Sequence, residues 1–304
     1  LAAAFFILLL TTAGIAALFY FLTGEGIRLC VLNAVPLGVI SSAIAIPSAG
    51  ILPADRKEFI IYESSFSDIF GIILFNFMVS HDEITALSFV ELGWSTLIIL
   101  ILAGVFCLIL MFLLKRITHH LKFFLIIAML ILAYAVGKFY HLPTLVMVLA
   151  FGLFLNNIHW IRFRWFTRNF KYDNFYKDFH QLAQLSGESA FVVRTFFFLI
   201  FGFTLDVNAL LQMDVVIAGL LTLAAIYIVR IVYMRIVVRT ASWAEYLLAP
   251  RGLISILLFF SIPEAQRLSG INSGLLFFVI LGTSVMMAMG FLTIKGGQPI
   301  ASEE

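Results

Sequence analysis

The run IIYESSFSDIFGIILFNF, residues 60–77, places two carboxylates, Glu63 and Asp68, in an otherwise apolar stretch. An ionised side chain at the centre of a bilayer costs on the order of 3 kcal/mol or more unless it is paired or hydrated, so such residues mark function or ion pairing. At about 100° per helical residue the two acids point some 140° apart and call for different partners. Ser64 and Ser65 lie four and three residues before Asp68, on its own face. A carboxylate beside hydroxyl oxygens is a set of hard ligands suited to a dehydrated Na⁺ or to a proton. Glu63 is more economically read as half of a neutral ion pair, because Arg194, Arg230 and Arg251 also fall within apolar runs.

Helix breakers supply a second signal. VPLGVISSAIAIPSAG holds Pro36 and Pro47, and Pro47 is expected to interrupt its helix by lacking a donor and freeing the carbonyl of Ala43. Pro250-Arg251-Gly252 separates AEYLLA from LISILLFF. Interrupted helices at matching places in two halves of a transporter mark mid-membrane sites, where half-helix dipoles and freed backbone groups face the substrate.

The elements that must position these residues follow from composition. Of 304 residues 62% are apolar and 12% charged, with thirty-three Phe, too much apolar surface for one soluble core. Ten apolar runs can each cross a hydrocarbon layer about 30 Å thick. They cover 1–22, 31–51, 59–79, 92–114, 122–138, 142–157, 188–205, 213–234, 244–262 and 274–294. The runs are continuous rather than alternating, which predicts an all-α polytopic membrane protein with ten transmembrane helices. The net charge of +2 excludes a nucleic-acid footprint, and the two cysteines, Cys30 and Cys107, exclude a disulfide scaffold. The chain opens on Leu1 with no leader ahead of the first run, so an N-terminal segment is expected to precede it.

Basic residues divide unevenly between the two sets of connections. Arg56, Lys57, Lys115, Arg116, Lys122, Arg162, Arg164, Arg168, Lys171, Lys177, Arg235 and Arg239 fall on one side, and Arg28, Lys138 and Arg267 on the other. The positive-inside rule makes the first side cytoplasmic and places the C-terminus there. The most basic connection, 158–187, interleaves its cations with Trp160, Trp165, Phe170, Tyr172 and Tyr176, as an interfacial segment facing anionic headgroups would. His119 and His120 read as solvated loop residues, and Cys107 as a small apolar one.

These residues resemble the monovalent cation:proton antiporter superfamily, which includes the sodium/proton exchangers, along the whole chain in helix order. Glu63-Ser64-Ser65-Phe66-Ser67-Asp68 is similar to the family's Glu-Ser-Leu-Leu-Asn-Asp signature. Tyr227-Ile228-Val229-Arg230 resembles the position whose Arg pairs with the signature Glu. Ala249-Pro250-Arg251-Gly252-Leu253 resembles the Arg-Gly segment of the second broken helix, and Thr195-Phe196-Phe197-Phe198 through Gly202 the Phe-rich linking helix. Two departures stand out. Ser42-Ala43-Ile44-Ala45 replaces the Thr-Asp-Pro that many relatives carry, losing a polar ligand, and Ser67 stands where relatives have Asn or a second Asp.

The resemblance implies an inverted-repeat antiporter fold with two broken crossing helices, about three further helices before Leu1, and a homodimer in a bacterial inner membrane. It implies core segments at 1–79 and 212–304, dimer-side scaffold helices at 80–157, and a linker with linking helix at 158–211. It further implies exchange of a monovalent cation, Na⁺ ahead of K⁺ or Li⁺, for a proton on Asp68 with Ser64, Ser65 and Ser67 around it. Glu63 and Arg230 would form a structural pair, no cofactor would be needed, and the lone Asp favours electroneutral exchange. Two other readings stay open. A potassium efflux system or channel-like relative would carry a nucleotide-binding cytoplasmic domain, and a non-transporting membrane sensor or scaffold that kept the fold would show no cation-dependent pH change in vesicles.

Overall fold

A computed structural model describes residues 2–116, 122–139, 144–157, 175–204, 206, 210, 212–239 and 242–293. His119, His120 and residues 158–174 of the basic connection lie outside the described residues. Among the described residues every regular element is helical. We number them α1 (Ala2–Thr23), α2 (Ile27–Gly38), α3 (Ser42–Ser48), α4 (Ala54–Ser80), α5 (Ala86–Arg116), α6 (Lys122–Phe139), α7 (Thr144–Asn157), α8 (Phe175–Phe203), α9 (Met213–Val237), α10 (Trp243–Leu247), α11 (Leu253–Phe260) and α12 (Ser273–Leu292). Six stretches, α1, α2 with α3 (27–51), and stretches within α5, α8, α9 and α12, are long and apolar enough to cross a membrane by length and composition.

The chain divides into two compact units, one of Leu1–Asp82 with Phe201–Glu304 and one of Glu83–Ile200. In the second unit α5, α6 and α7 pack on one another over Ala103, Leu110, Met111, Ala133, Met147 and Phe151. Cys107 is buried there as a free thiol, and Cys30 is likewise buried and free in the first unit.

In the first unit α1 packs against α2, α4 and α9, and α9 in turn against α12. The two interrupted helices, α2–α3 and α10–α11, lie among them. Both interruptions fall where sequence reading expects a broken helix, but the first is displaced from its predicted cause. The helix stops at Gly38, residues 39–41 run extended, and Pro47 sits inside the short α3 instead of at the break. Two causes act together: Val39 and Ile40 are β-branched and favour extended backbone, and the Ile40 N–H finds a tertiary partner in the Ser67 hydroxyl at 3.0 Å. The second break, Leu248–Gly252, needs no such help, since Pro250 biases the residue before it away from helical angles and cannot donate.

Gly71 on α4 allows the close approach of the first break. A Cβ built there would lie 2.3 Å from Val39 Cγ2. Because Val is stiff at χ1, Gly71→Ala is expected to destabilise the protein by about 1–3 kcal/mol. A lowered melting temperature in detergent checks this; an unchanged one refutes the tight seating of the break on α4.

Candidate functional site

The site is assembled where the two breaks meet α4. The Ser41 N–H donates to the Pro250 carbonyl across the crossing at 2.9 Å. Gly252 leaves room for this contact, since a Cβ there would stand 2.7 Å from Ser41 Oγ. Thus the main chains of both breaks touch directly, with Ser42 opening α3 immediately beyond.

Ser42 reaches α4. Its hydroxyl donates to Oδ2 of Asp68, and its main-chain amide also interacts with that carboxyl. The other oxygen, Oδ1, is buried and has no hydrogen-bond partner among the described residues. Asp68 as a whole is half-buried. Of the serines expected around it, Ser64 donates its hydroxyl to the carbonyls of Ile60 and Ile61, the ordinary helical back-bond. Ser67 accepts the Ile40 amide. Ser65 stays half-buried on α4. The hydroxyl that meets Asp68 therefore comes from Ser42, which the sequence marks only as part of the broken helix.

Glu63 and Arg230 meet as a two-pronged pair, Nη1 to Oε1 at 2.7 Å and Nη2 to Oε2 at 3.1 Å, with both side chains buried. The remaining edge of the guanidinium donates to the Glu245 carbonyl from Nε at 3.2 Å and from Nη2 at 3.1 Å. A planar fork with donors on both edges is what lets one arginine tie α4 and α10 to α9.

Glu245 is the residue that sequence reasoning missed. It is buried, lies 3.7 Å from Arg56 Nη1, and takes a hydrogen bond from Ser242 at 3.2 Å. The signal was present as Ser242-Trp243-Ala244-Glu245, a capping-box spacing at a helix start, and Ser242 does accept the Glu245 amide.

Arg251, in the second break, is fully buried and donates from Nη1 to the Ala249 carbonyl just beyond α10 at 3.4 Å, while its amide donates to Thr283 Oγ1 at 3.1 Å. A cation beside helix-terminal carbonyls is favourably placed. At the other end of α4, Arg28 donates to the carbonyls of Met78 and His81 and pairs with Asp82 at 2.9 Å. Among the described residues there is no cluster of three or more acids, histidines or cysteines able to hold a metal. Any cation at Asp68 must be bound by one carboxylate with hydroxyl, backbone or water oxygens.

A half-buried aspartate thus lies at the crossing of two interrupted helices, among described residues whose regular elements are all helical. The chain belongs to the sodium/hydrogen exchanger family: the model of that family's transmembrane region matches residues 1–294. It is accordingly a multi-pass membrane protein of a family of cation/proton exchangers. Among solved structures it is similar in fold to the sodium proton antiporter MjNhaP1 from Methanocaldococcus jannaschii at pH 8, with a TM-score of 0.64 and 16% identity over 95% of this chain and 76% of that one. The comparison with curated proteins gave no match.

Proposed function

We propose that this protein exchanges one monovalent cation, Na⁺ first, for one proton, by alternating access, with the Asp68 carboxylate carrying either ion but never both. The observation that carries this reading is a difference in partners. Glu63 is neutralised by Arg230 and Glu245 lies beside Arg56, whereas Asp68 is met by Ser42 and, among the described residues, has no basic partner and keeps Oδ1 without a hydrogen bond. A carboxylate left without a fixed countercharge in apolar surroundings must take a mobile one, and H⁺ or an alkali cation is what the solution offers. Ser67 in place of a second acid supports one-for-one, electroneutral stoichiometry. In this scheme Glu63, Arg230 and Glu245 hold α4, α9 and α10 together, and Arg251 stabilises the second break.

Competition for one carboxylate has a measurable signature. Below the pH at which protons occupy half the sites, the apparent KM for Na⁺ should rise about tenfold per unit fall in pH while kcat at saturating Na⁺ stays level, because linkage for a single shared site is reciprocal. Proteoliposomes carrying a pH-sensitive dye, pulsed with a Na⁺ series at several pH values, measure this. A KM independent of pH would mean separate sites and would remove Asp68 from the shared role. A K⁺-only response would favour the potassium-efflux reading, and no response to Na⁺, Li⁺ or K⁺ the non-transporting one.

A further inference from the structure

We propose that the second break holds a small resident anion, chloride, beside Arg251 at the N-terminus of α11. Arg251 is 1% exposed, and among the described residues it forms no ion pair. The charged groups that act on it are Arg230 and Glu63, which neutralise each other, and the Tyr227 between them is a neutral phenol. Glu245 is taken by Arg56. Asp68, the other acid at the crossing, is neutralised by a proton or a cation for part of each proposed cycle and offers no fixed countercharge. One positive charge is therefore left over in the apolar interior. Buried charges are otherwise paired or lost by titration, and an arginine keeps its proton, so the compensation has to come from an anion.

The side chains gathered there are donors in want of an acceptor. Arg251 Nε, Ser255 Oγ and Ser41 Oγ have no hydrogen-bond partner among the described residues, and all three residues are fully buried. Arg251 immediately precedes Gly252, the N-cap of α11, and Ser255 lies in the first turn of that helix. Ser41 comes from the first break, and its Oγ stands against Gly252, 2.7 Å from where a Cβ would be. Gly252 has no side chain with which to cap α11, so the first-turn amides and the positive end of the helix lack an acceptor from the cap. The neighbouring stretch of the first break, Ser42-Ala43-Ile44-Ala45, holds no acid that could supply one.

A guanidinium, two hydroxyls and an uncapped helix start, all away from solvent, form an anion-binding set. Water could accept from the same donors, but it brings no charge, and the excess on Arg251 would remain. The occupant has to carry a single negative charge to match the one positive charge in excess. A halide does so, and it accepts hydrogen bonds from any direction. Divalent oxyanions would invert the imbalance and present more oxygens than three side chains and one turn of helix can serve. The anion is a fixed constituent of the break and is not transported. Its charge balances Arg251 and leaves Asp68 as the group at the crossing whose charge changes with the cycle.

The test is the melting temperature of the detergent-purified protein as chloride replaces gluconate at constant Na⁺, in wild type, Ser255→Ala, Ser41→Ala and Ser255→Asp. Wild type should show a saturable rise of a few degrees, and bromide should give a saturable rise as well. Ser255→Ala and Ser41→Ala each remove one donor and should raise the chloride concentration at half effect about tenfold, the expected loss for a polar contact to a charged group. The main-chain bond from Ser41 to Pro250 survives that change. Ser255→Asp supplies the negative charge covalently, and its melting temperature should no longer respond to chloride. Should Ser255→Asp fail to fold, the two alanine variants decide. Equal melting temperatures in chloride and gluconate for wild type, the result expected if water alone meets these donors, would overturn the inference. A midpoint unchanged in both alanine variants, or a full response in Ser255→Asp, would place the anion elsewhere and overturn it too. None of these results bears on the carrier role of Asp68, because no ion flux is measured.

Discussion

Asp68→Asn should reduce cation-driven proton flux to the level of protein-free vesicles while leaving the folded protein intact. Asparagine is nearly isosteric and can still accept the Ser42 hydroxyl through its amide oxygen, so the contact between α4 and the first break persists. It cannot bind a proton in the working pH range, and it offers a cation a neutral oxygen in place of a charged one. Both half-reactions are lost together. Flux measured in matched proteoliposomes, with the melting temperature as control, gives the result; flux at the wild-type rate would show that another group carries the ions. The flux loss should be the largest of any single substitution in the first unit, because no other acid on α4, α9 or α10 lacks a basic neighbour among the described residues within the apolar core.

Glu63→Gln should do the converse, lowering stability more than it alters chemistry. The Arg230 guanidinium would remain fully buried with its charge uncompensated, held by the Glu245 carbonyl and by a neutral amide oxygen in place of the carboxylate. Removing one partner of a buried pair costs about 3–5 kcal/mol, chiefly through the stranded charge. The melting temperature in detergent and the yield of folded protein should both fall. Adding Arg230→Met to Glu63→Gln should restore part of the loss, since no buried charge is then left without its counterpart. An unchanged melting temperature with abolished transport would exchange the roles assigned to Glu63 and Asp68.

Much of this arrangement was legible from residue types alone, because a bilayer makes polar residues conspicuous. Six of the ten apolar runs coincide with helical stretches long and apolar enough to cross a membrane, and the separation of Glu63 from Asp68 by 140° announces different partners, as is found. Composition leaves three arginines eligible as the Glu63 partner, and only the resemblance of Tyr227-Ile228-Val229-Arg230 points to Arg230. Pro47, the strongest local signal, predicts the first break, whereas the helix ends at Gly38, where the next amide but one bonds a serine on another helix. Tertiary contacts of that sort have no local signature. The same limit hides Ser42: Ser64 and Ser65 share a face with Asp68 by helical spacing, whereas the hydroxyl in contact with its carboxylate comes from a residue 26 positions away. Glu245 escaped notice because one acid near the end of an apolar run looks solvated until the fold buries it.

The bond between the Ser41 amide and the Pro250 carbonyl joins main-chain atoms. Genetic substitution cannot delete its acceptor, and only proline at position 41 would delete its donor. Side chains at the crossing are thereby relieved of the task of holding the two breaks together. Any change of side chain at positions 41 and 250, proline at 41 apart, leaves both bonding atoms in place, so the join between the breaks does not depend on the identity of those two residues.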